Sequence, residues 1–149
     1  MKVDHLSWKI LTAVQQDGRM SLKSLAAEVG LSLPAVSERL KRLEEAGIIS
    51  GYRAIVDANA LGYGIMAIIG MTTLKPDKKQ LISKLERMPE VIECLHVTGQ
   101  DSYLIRVQTR DIQHLESFVG SINQFGETRT SIVMSHPIQM RPLAPLEEQ

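Results

Sequence analysis

Apolar positions recur along the first third of the chain with the period of a helix. Leu6, Ile10, Ala13 and Val14 stand at i, i+4, i+7 and i+8, one stripe that predicts an amphipathic helix. It stops at "QDGRM", where Gly18 is expected to take the left-handed conformation past a helix end. Ser21 is the expected N-cap of a second helix that turns Leu22, Leu25, Ala26 and Val29 inward and ends at Gly30. Ser32 caps a third. Pro34 falls in its first turn, where a missing N–H costs nothing, and Leu33, Val36, Leu40 and Leu43 carry the stripe to Gly47. Two short helices joined by a few residues containing glycine are the helix-turn-helix pattern.

The rhythm then changes. "IISGYRAIVD", residues 48–57, alternates in part and predicts a strand directly after the third helix, as a winged or strand-linked helix-turn-helix requires; Gly62 and Gly64 in "ANALGYG" mark a hinge. Residues 63–74 are β-rich. "KPDKKQLISKLERM" follows as a helix, with Pro76 and Asp77 as starting signals and Leu81, Ile82, Leu85 and Met88 on its apolar face. "VIECLHVT" and "SYLIRVQT" read as two strands joined by Gly99-Gln100-Asp101. Asp111 caps a further helix with Leu115, Phe118, Val119 and Ile122 inward, and "TRTSIVMSHPI" closes as a strand.

The expected class is therefore α+β, an N-terminal (winged) helix-turn-helix domain followed by a ferredoxin-like βαββαβ domain. The expected boundaries are 1–50 for the helix-turn-helix, 51–62 for a linker strand and hinge, 63–140 for the ferredoxin-like domain and 141–149 for a flexible, proline-containing tail. Two helices cover one face of such a sheet. The other face, with residues 65–71 so apolar, calls for a partner, and with the linker strand "YRAIVD" it implies at least a dimer.

Composition narrows the classes. The chain has 149 residues, and no apolar run approaches the roughly 20 needed to span a bilayer. Its first residues lack the pattern of a signal peptide, and the single cysteine, Cys94, suits a reducing cytoplasm. With 17 basic and 17 acidic residues, bulk charge does not announce a nucleic-acid partner; splitting at residue 60 gives eight basic against seven acidic, then nine against ten. A case for DNA must rest on local placement.

The third helix supplies that placement. Ala35, Ser37, Glu38, Lys41, Arg42 and Glu45 face outward, with Arg39 at the flank. Small residues near its start let a backbone approach the floor of a major groove, and the basic residues further along reach phosphates or a guanine edge. The expected DNA-contacting set is Ser32, Pro34, Ala35, Ser37, Glu38, Arg39, Lys41 and Arg42. The plainer alternative is an ordinary amphipathic helix whose Glu38–Arg42 spacing is surface support.

Catalytic chemistry finds little footing. There is no Gly-rich phosphate loop, no His-Glu-x-x-His pattern and no nucleophile with its base. Cys94 and His96 lie two apart on a strand, but no second Cys/His pair lies near in sequence, so packing is the better reading and neither metal nor cofactor is expected. Trp8 reads as core or dimer contact. An enzyme using the ferredoxin-like half ranks last, since fold alone implies no chemistry.

"LSLPAVSERLKRLEEAGIISGYRAIVD", "VTGQDSYLIRVQTRD" and "TRTSIVM" carry a resemblance that covers nearly the whole chain. Together they resemble the Lrp/AsnC (leucine-responsive/asparagine-regulator, feast/famine) family of prokaryotic transcription regulators. The resemblance implies a sequence-specific regulator binding double-stranded DNA, and a C-terminal domain that assembles dimers, four of them closing into an octamer. It further implies an amino-acid effector bound between dimers at a turn reading Gly-x-x-Asp-Tyr. Here that turn reads Gly99-Gln100-Asp101-Ser102-Tyr103, with serine at the acidic position. Successive N–H groups of the turn suit a ligand carboxylate, and Thr98, Ser102 and Tyr103 add hydroxyls. A neighbouring chain would supply Met134 or Ser135, which completes the expected effector set. The alternative is an architectural DNA-wrapping protein with no effector.

Overall fold

The structure, a computed structural model, describes residues 3–146. The chain divides into two compact units: one takes the chain up to Ile55 together with residues from Ile138 onward, the other is Val56–Pro137.

Three helices build the first unit: α1 (His5–Gln16), α2 (Leu22–Val29) and α3 (Leu33–Glu45). Each starts on a short polar side chain that takes up an N–H otherwise left without a partner. Asp4 Oδ1 accepts from the Ser7 amide at 2.8 Å, Ser21 Oγ from Ser24 at 3.0 Å and Ser32 Oγ from Ala35 at 3.4 Å. Gly30 closes α2 in the left-handed conformation, φ 72°, which turns the chain within two residues into α3. Ile10, Ala13, Leu25, Val36 and Leu43 fill the core; each large member fully buried contributes about 1.5–3 kcal/mol.

Three expectations need correction here. Gly18 does not take the left-handed conformation. α1 ends at Gln16, within the expected stretch, and Asp17 makes the bend, its carboxylate accepting from the Arg19 amide and its carbonyl from Met20. Leu33 is 48% exposed, since the first residue of α3 precedes the turn that faces inward, and Leu11 takes a core position off the expected stripe. The segment 51–57 forms no strand; Ile55 is fully exposed, and no strand of the described residues pairs with it. A lone extended segment has no ladder to join.

The expected flexible tail is also held at one point. The Gln15 side-chain amide donates to Leu143 O at 3.2 Å and accepts from Leu143 N at 2.8 Å, the two bonds a neighbouring strand would make. Residues 147–149 lie outside the described residues.

The second unit is a four-stranded antiparallel sheet, order β2-β3-β1-β4, from β1 (Ile65–Thr72), β2 (Val91–His96), β3 (Tyr103–Thr109) and β4 (Glu127–Ile132). Helices α4 (Lys78–Leu85) and α5 (Ile112–Ile122) supply the βαββαβ order. Alternation places Ala67, Ile69 and Met71 with Tyr103, Ile105 and Val107 on one buried face, against Leu81, Leu85, Leu115, Phe118 and Ile122 of the helices. Asp111 caps α5 as expected, accepting from the His114 amide at 2.8 Å. Asp77 makes no cap bond; a 3-10 turn, Lys75–Asp77, precedes α4 instead. Gly126 precedes β4 with φ 153°, and a Cβ there would lie 1.9 Å from the Thr72 carbonyl oxygen. Only glycine lets β4 enter this close to β1.

Candidate nucleic-acid interface and effector turn

Along α3 the structure separates the expected DNA contacts into three groups. Ser32 and Pro34 are exposed at the start, where Ser32 is already committed to capping. Ser37, Glu38, Lys41 and Arg42 are exposed, while Ala35 is half-buried. Arg42 Nε donates to Glu38 Oε1 at 2.9 Å, and Lys41 Nζ stands 3.5 Å from Glu45 Oε1. Both are exposed pairs on one helix, worth little in water, so a phosphate displaces the acid cheaply.

Arg39 differs from its neighbours. Its Nη1 donates to both Asp4 carboxylate oxygens, at 3.0 and 2.8 Å, and reaches Ser7 Oγ at 3.3 Å. One carboxylate therefore caps α1 and grips α3. The Ser7 amide and then the Arg39 guanidinium hold the Asp4 carboxyl below its ordinary value of 3.8, at about 2. Arg39 thus ties α3 to the start of α1 while its side chain stays 31% exposed. Sequence reasoning missed Asp4, although an aspartate just ahead of an apolar helical stripe is a cap signal. At the other end of α3, Tyr52 donates to Glu44 Oε1 at 2.9 Å. Burial, and next the carboxylate beside it, push this phenol up to about 12.

The turn between β2 and β3 commits its groups internally. Gly99 has φ 112°, a conformation natural only to glycine. Thr98, Gly99 and Gln100 are exposed, and the Gln100 carbonyl accepts from Thr72 Oγ1 at 3.3 Å. Ser102, at the position where the resemblance expects an acid, turns into the end of β1: its Oγ accepts from the Thr73 amide at 3.2 Å, and its own amide donates to Met71 O at 2.8 Å. Asp101 points to the sheet face that carries no helix. Its carboxylate lies over Gly70, within 2.8 Å of where a Cβ would sit, and pairs with Arg129. Arg129 stands opposite Gly70 in the ladder, which explains the meeting. The one-residue shift from serine to aspartate thus changes the face the acid serves. Arg129 and Gly70 left no signal in the sequence, since their proximity depends on the pairing of β1 with β4.

Tyr103 is buried on the opposite, helix-covered face. Its ring lies 5.1 Å from that of His96, and Cys94 packs against the same core, where burial pushes the thiol up. Met134 and Ser135 are exposed past the end of β4, beside Met66 through the Val133 amide. The turn meets β1 at its other end, near Met71 and Thr72, so one chain does not bring Met134 or Ser135 to Gly99.

Known proteins share both units. Residues 66–143 match the family model described as Lrp/AsnC ligand binding domain, and residues 3–50 that described as winged helix-turn-helix DNA-binding. The transcriptional regulator FL11 of Pyrococcus furiosus is 33% identical, over 89% of each chain. The structure of LrpC from Bacillus subtilis superposes with TM-score 0.90 at 27% identity, covering 95% of this chain and all of that one. A transcriptional regulator of Neisseria meningitidis, solved in complex with L-methionine, gives TM-score 0.90 at 28% identity over 98% of each chain.

Proposed function

The chain belongs to the Lrp/AsnC family and is a DNA-binding transcriptional regulator of that type; on that premise we propose that it reads specific DNA sites as an assembly of dimers whose response is tuned by an amino acid. The observation that carries the DNA part is the exposed surface of α3. Ser37, Glu38, Lys41 and Arg42 stand clear of the core, while Arg39 and the Ser32 cap hold the helix that presents them. Two such helices related by a two-fold axis read half-sites about one helical turn apart, or a multiple of it. The test is fluorescence anisotropy on the protein's own promoter at two salt concentrations. The variant Lys41→Ala/Arg42→Ala should lose affinity and lower the salt slope by about two units. A folded variant that binds as tightly as wild type removes α3 from the interface.

Assembly draws on the sheet face without helices, where Ile68, Ile92 and Leu95 are exposed, and on the unpaired segment 51–57. Their natural occupant is a second copy, giving dimers and, by family likeness, four dimers in an octamer. A light-scattering mass of one chain at micromolar concentration defeats both; a mass of two chains defeats the octamer alone.

The effector proposal places the amino acid at Thr98–Tyr103, with Met134 or Ser135 from a neighbouring chain. It draws support from the relative solved with L-methionine. Calorimetry of the twenty amino acids against wild type and Gly99→Asp checks it, and a ligand whose affinity ignores that substitution sits elsewhere. One feature favours a second reading. Asp101 already holds a guanidinium and Ser102 replaces the acid, so the turn has an internal cation where an effector ammonium would bind. Silence from every amino acid, with DNA binding intact, selects the effector-free architectural protein. A cytoplasmic protein fits either reading; among the described residues no helix is long and apolar enough to cross a membrane.

A further inference from the structure

The helix-covered side of Tyr103 faces an open cavity of about 340 Å³ whose α4 wall enters neither the DNA nor the amino-acid reading. Lys78, Lys79, Ile82, Ser83 and Glu86 of α4 and its C-terminal cap line it together with Tyr103. Positions 79, 82, 83 and 86 fall at i, i+3, i+4 and i+7, so one strip of helix forms the wall.

Tyr103 gives the cavity its chemistry. It is 8% exposed, and its ring is held between the His96 ring at 5.1 Å and Lys78 Nζ at 5.7 Å from the centroid. Its hydroxyl makes no hydrogen bond with any described residue and reaches solvent at the cavity mouth, where a ligand can meet it. Lys78, Lys79 and Glu86, like several other surface charges, join no ion pair among the described residues. Two ammonium groups against one carboxylate leave the lining with one net positive charge.

We propose that this cavity binds a small monocarboxylate with a short apolar body. The carboxylate takes the Tyr103 hydroxyl and a lysine ammonium, charge-assisted bonds of the stronger kind, and the body lies on Ile82. A dianionic phosphate overcompensates the charge beside Glu86, and the ammonium of an amino acid would be set among two lysines. The site shares Tyr103 with the amino-acid proposal but not Asp101 or Arg129, which serve the other face of the sheet, so Arg129→Ala separates the two.

The test is an NMR titration of the full chain with 3-methylbutanoate, with inorganic phosphate and leucine as comparators. 3-Methylbutanoate should saturate and shift the amides of Lys79, Ser83 and Tyr103. Tyr103→Phe keeps the ring packing and should weaken binding about twofold to tenfold; Lys78→Ala/Lys79→Ala should weaken it by about tenfold or more. Arg129→Ala, on the far face, should leave it unchanged. The proposal falls if binding is not saturable, if Tyr103→Phe and the lysine variant, both melting as wild type, bind undiminished, or if phosphate or leucine binds at the cavity as tightly. Leucine shifts confined to Thr98–Asp101 and abolished by Gly99→Asp would support the turn site alone, and the cavity then stands or falls on 3-methylbutanoate.

Discussion

The outward face of α3 and the turn between β2 and β3 both carry acid–base pairs, but they hold them in different ways. On α3 the pairs lie within one helix, Glu38 with Arg42 and Lys41 with Glu45, all more than half exposed. At the turn, Asp101 is paired across the sheet with Arg129, and its side chain is only 20% exposed. Water already competes for the first kind, so a polyanion replaces the acids at little cost. The second kind belongs to the packing of a glycine, an aspartate and a neighbouring strand, and a ligand must displace it to gain the acid. α3 is built to exchange partners, and the turn is built to keep one.

Four perturbations test that contrast. The largest effect is expected from Gly126→Ala, which puts a Cβ 1.9 Å from the Thr72 carbonyl and so forces β4, with Arg129, away from β1. It should destabilise the second unit by about 3 kcal/mol or more while the helical unit keeps its own melting transition; an unchanged melting curve would show that the strand approach is looser than described.

Next comes the split among the basic residues of α3. Lys41→Ala/Arg42→Ala should weaken DNA binding by about one to two decades, whereas Arg39→Ala should leave the salt slope intact and lower the thermal stability of the helical unit. Equal salt slopes for both variants would place Arg39 among the DNA contacts after all.

A smaller effect attaches to the cross-sheet pair. Arg129→Ala leaves the Asp101 carboxylate without its partner and should cost about 1 kcal/mol in chemical denaturation, discounted for the half-exposed guanidinium. If an amino acid binds the turn, the same variant should strengthen it by freeing the acid, and weaker binding would make Arg129 part of the ligand site.

The smallest is a pH effect at Asp4. A carboxyl held at about 2 when folded and at its ordinary 3.8 when unfolded stabilises fully above that ordinary value and loses the contribution as pH falls through 2. Melting of the helical unit should therefore drop between about pH 4 and 2, and Asp4→Asn should flatten the drop. A variant with the wild-type pH profile would move the titration to another carboxyl.

Local chemistry alone was enough for much of this protein. Ser21, Ser32 and Asp111 announce helix starts because a short acceptor beside free N–H groups acts within three residues, and Gly30 announces a stop because it alone takes φ 72° without strain. The period-two and period-3.6 stripes settled the order of strands and helices, since each element must bury one face whatever its neighbours are. The turn before Tyr103 was equally legible as a turn.

Tertiary structure decided the partners. Nothing in the spacing of Asp4 and Arg39, or of Asp101 and Arg129, links them until α1 lies against α3 and β4 against β1. Arg39 read as a flanking base in the DNA-contacting set because a helical wheel gives its direction and not what stands there. The segment 51–57 read as a strand because its residues suit one, but a strand exists only where a second backbone offers hydrogen bonds. Propensity is a property of residues and pairing is a property of the fold, so the sequence settled the helices and the four sheet strands, and the structure settled which segments pair and which charges meet.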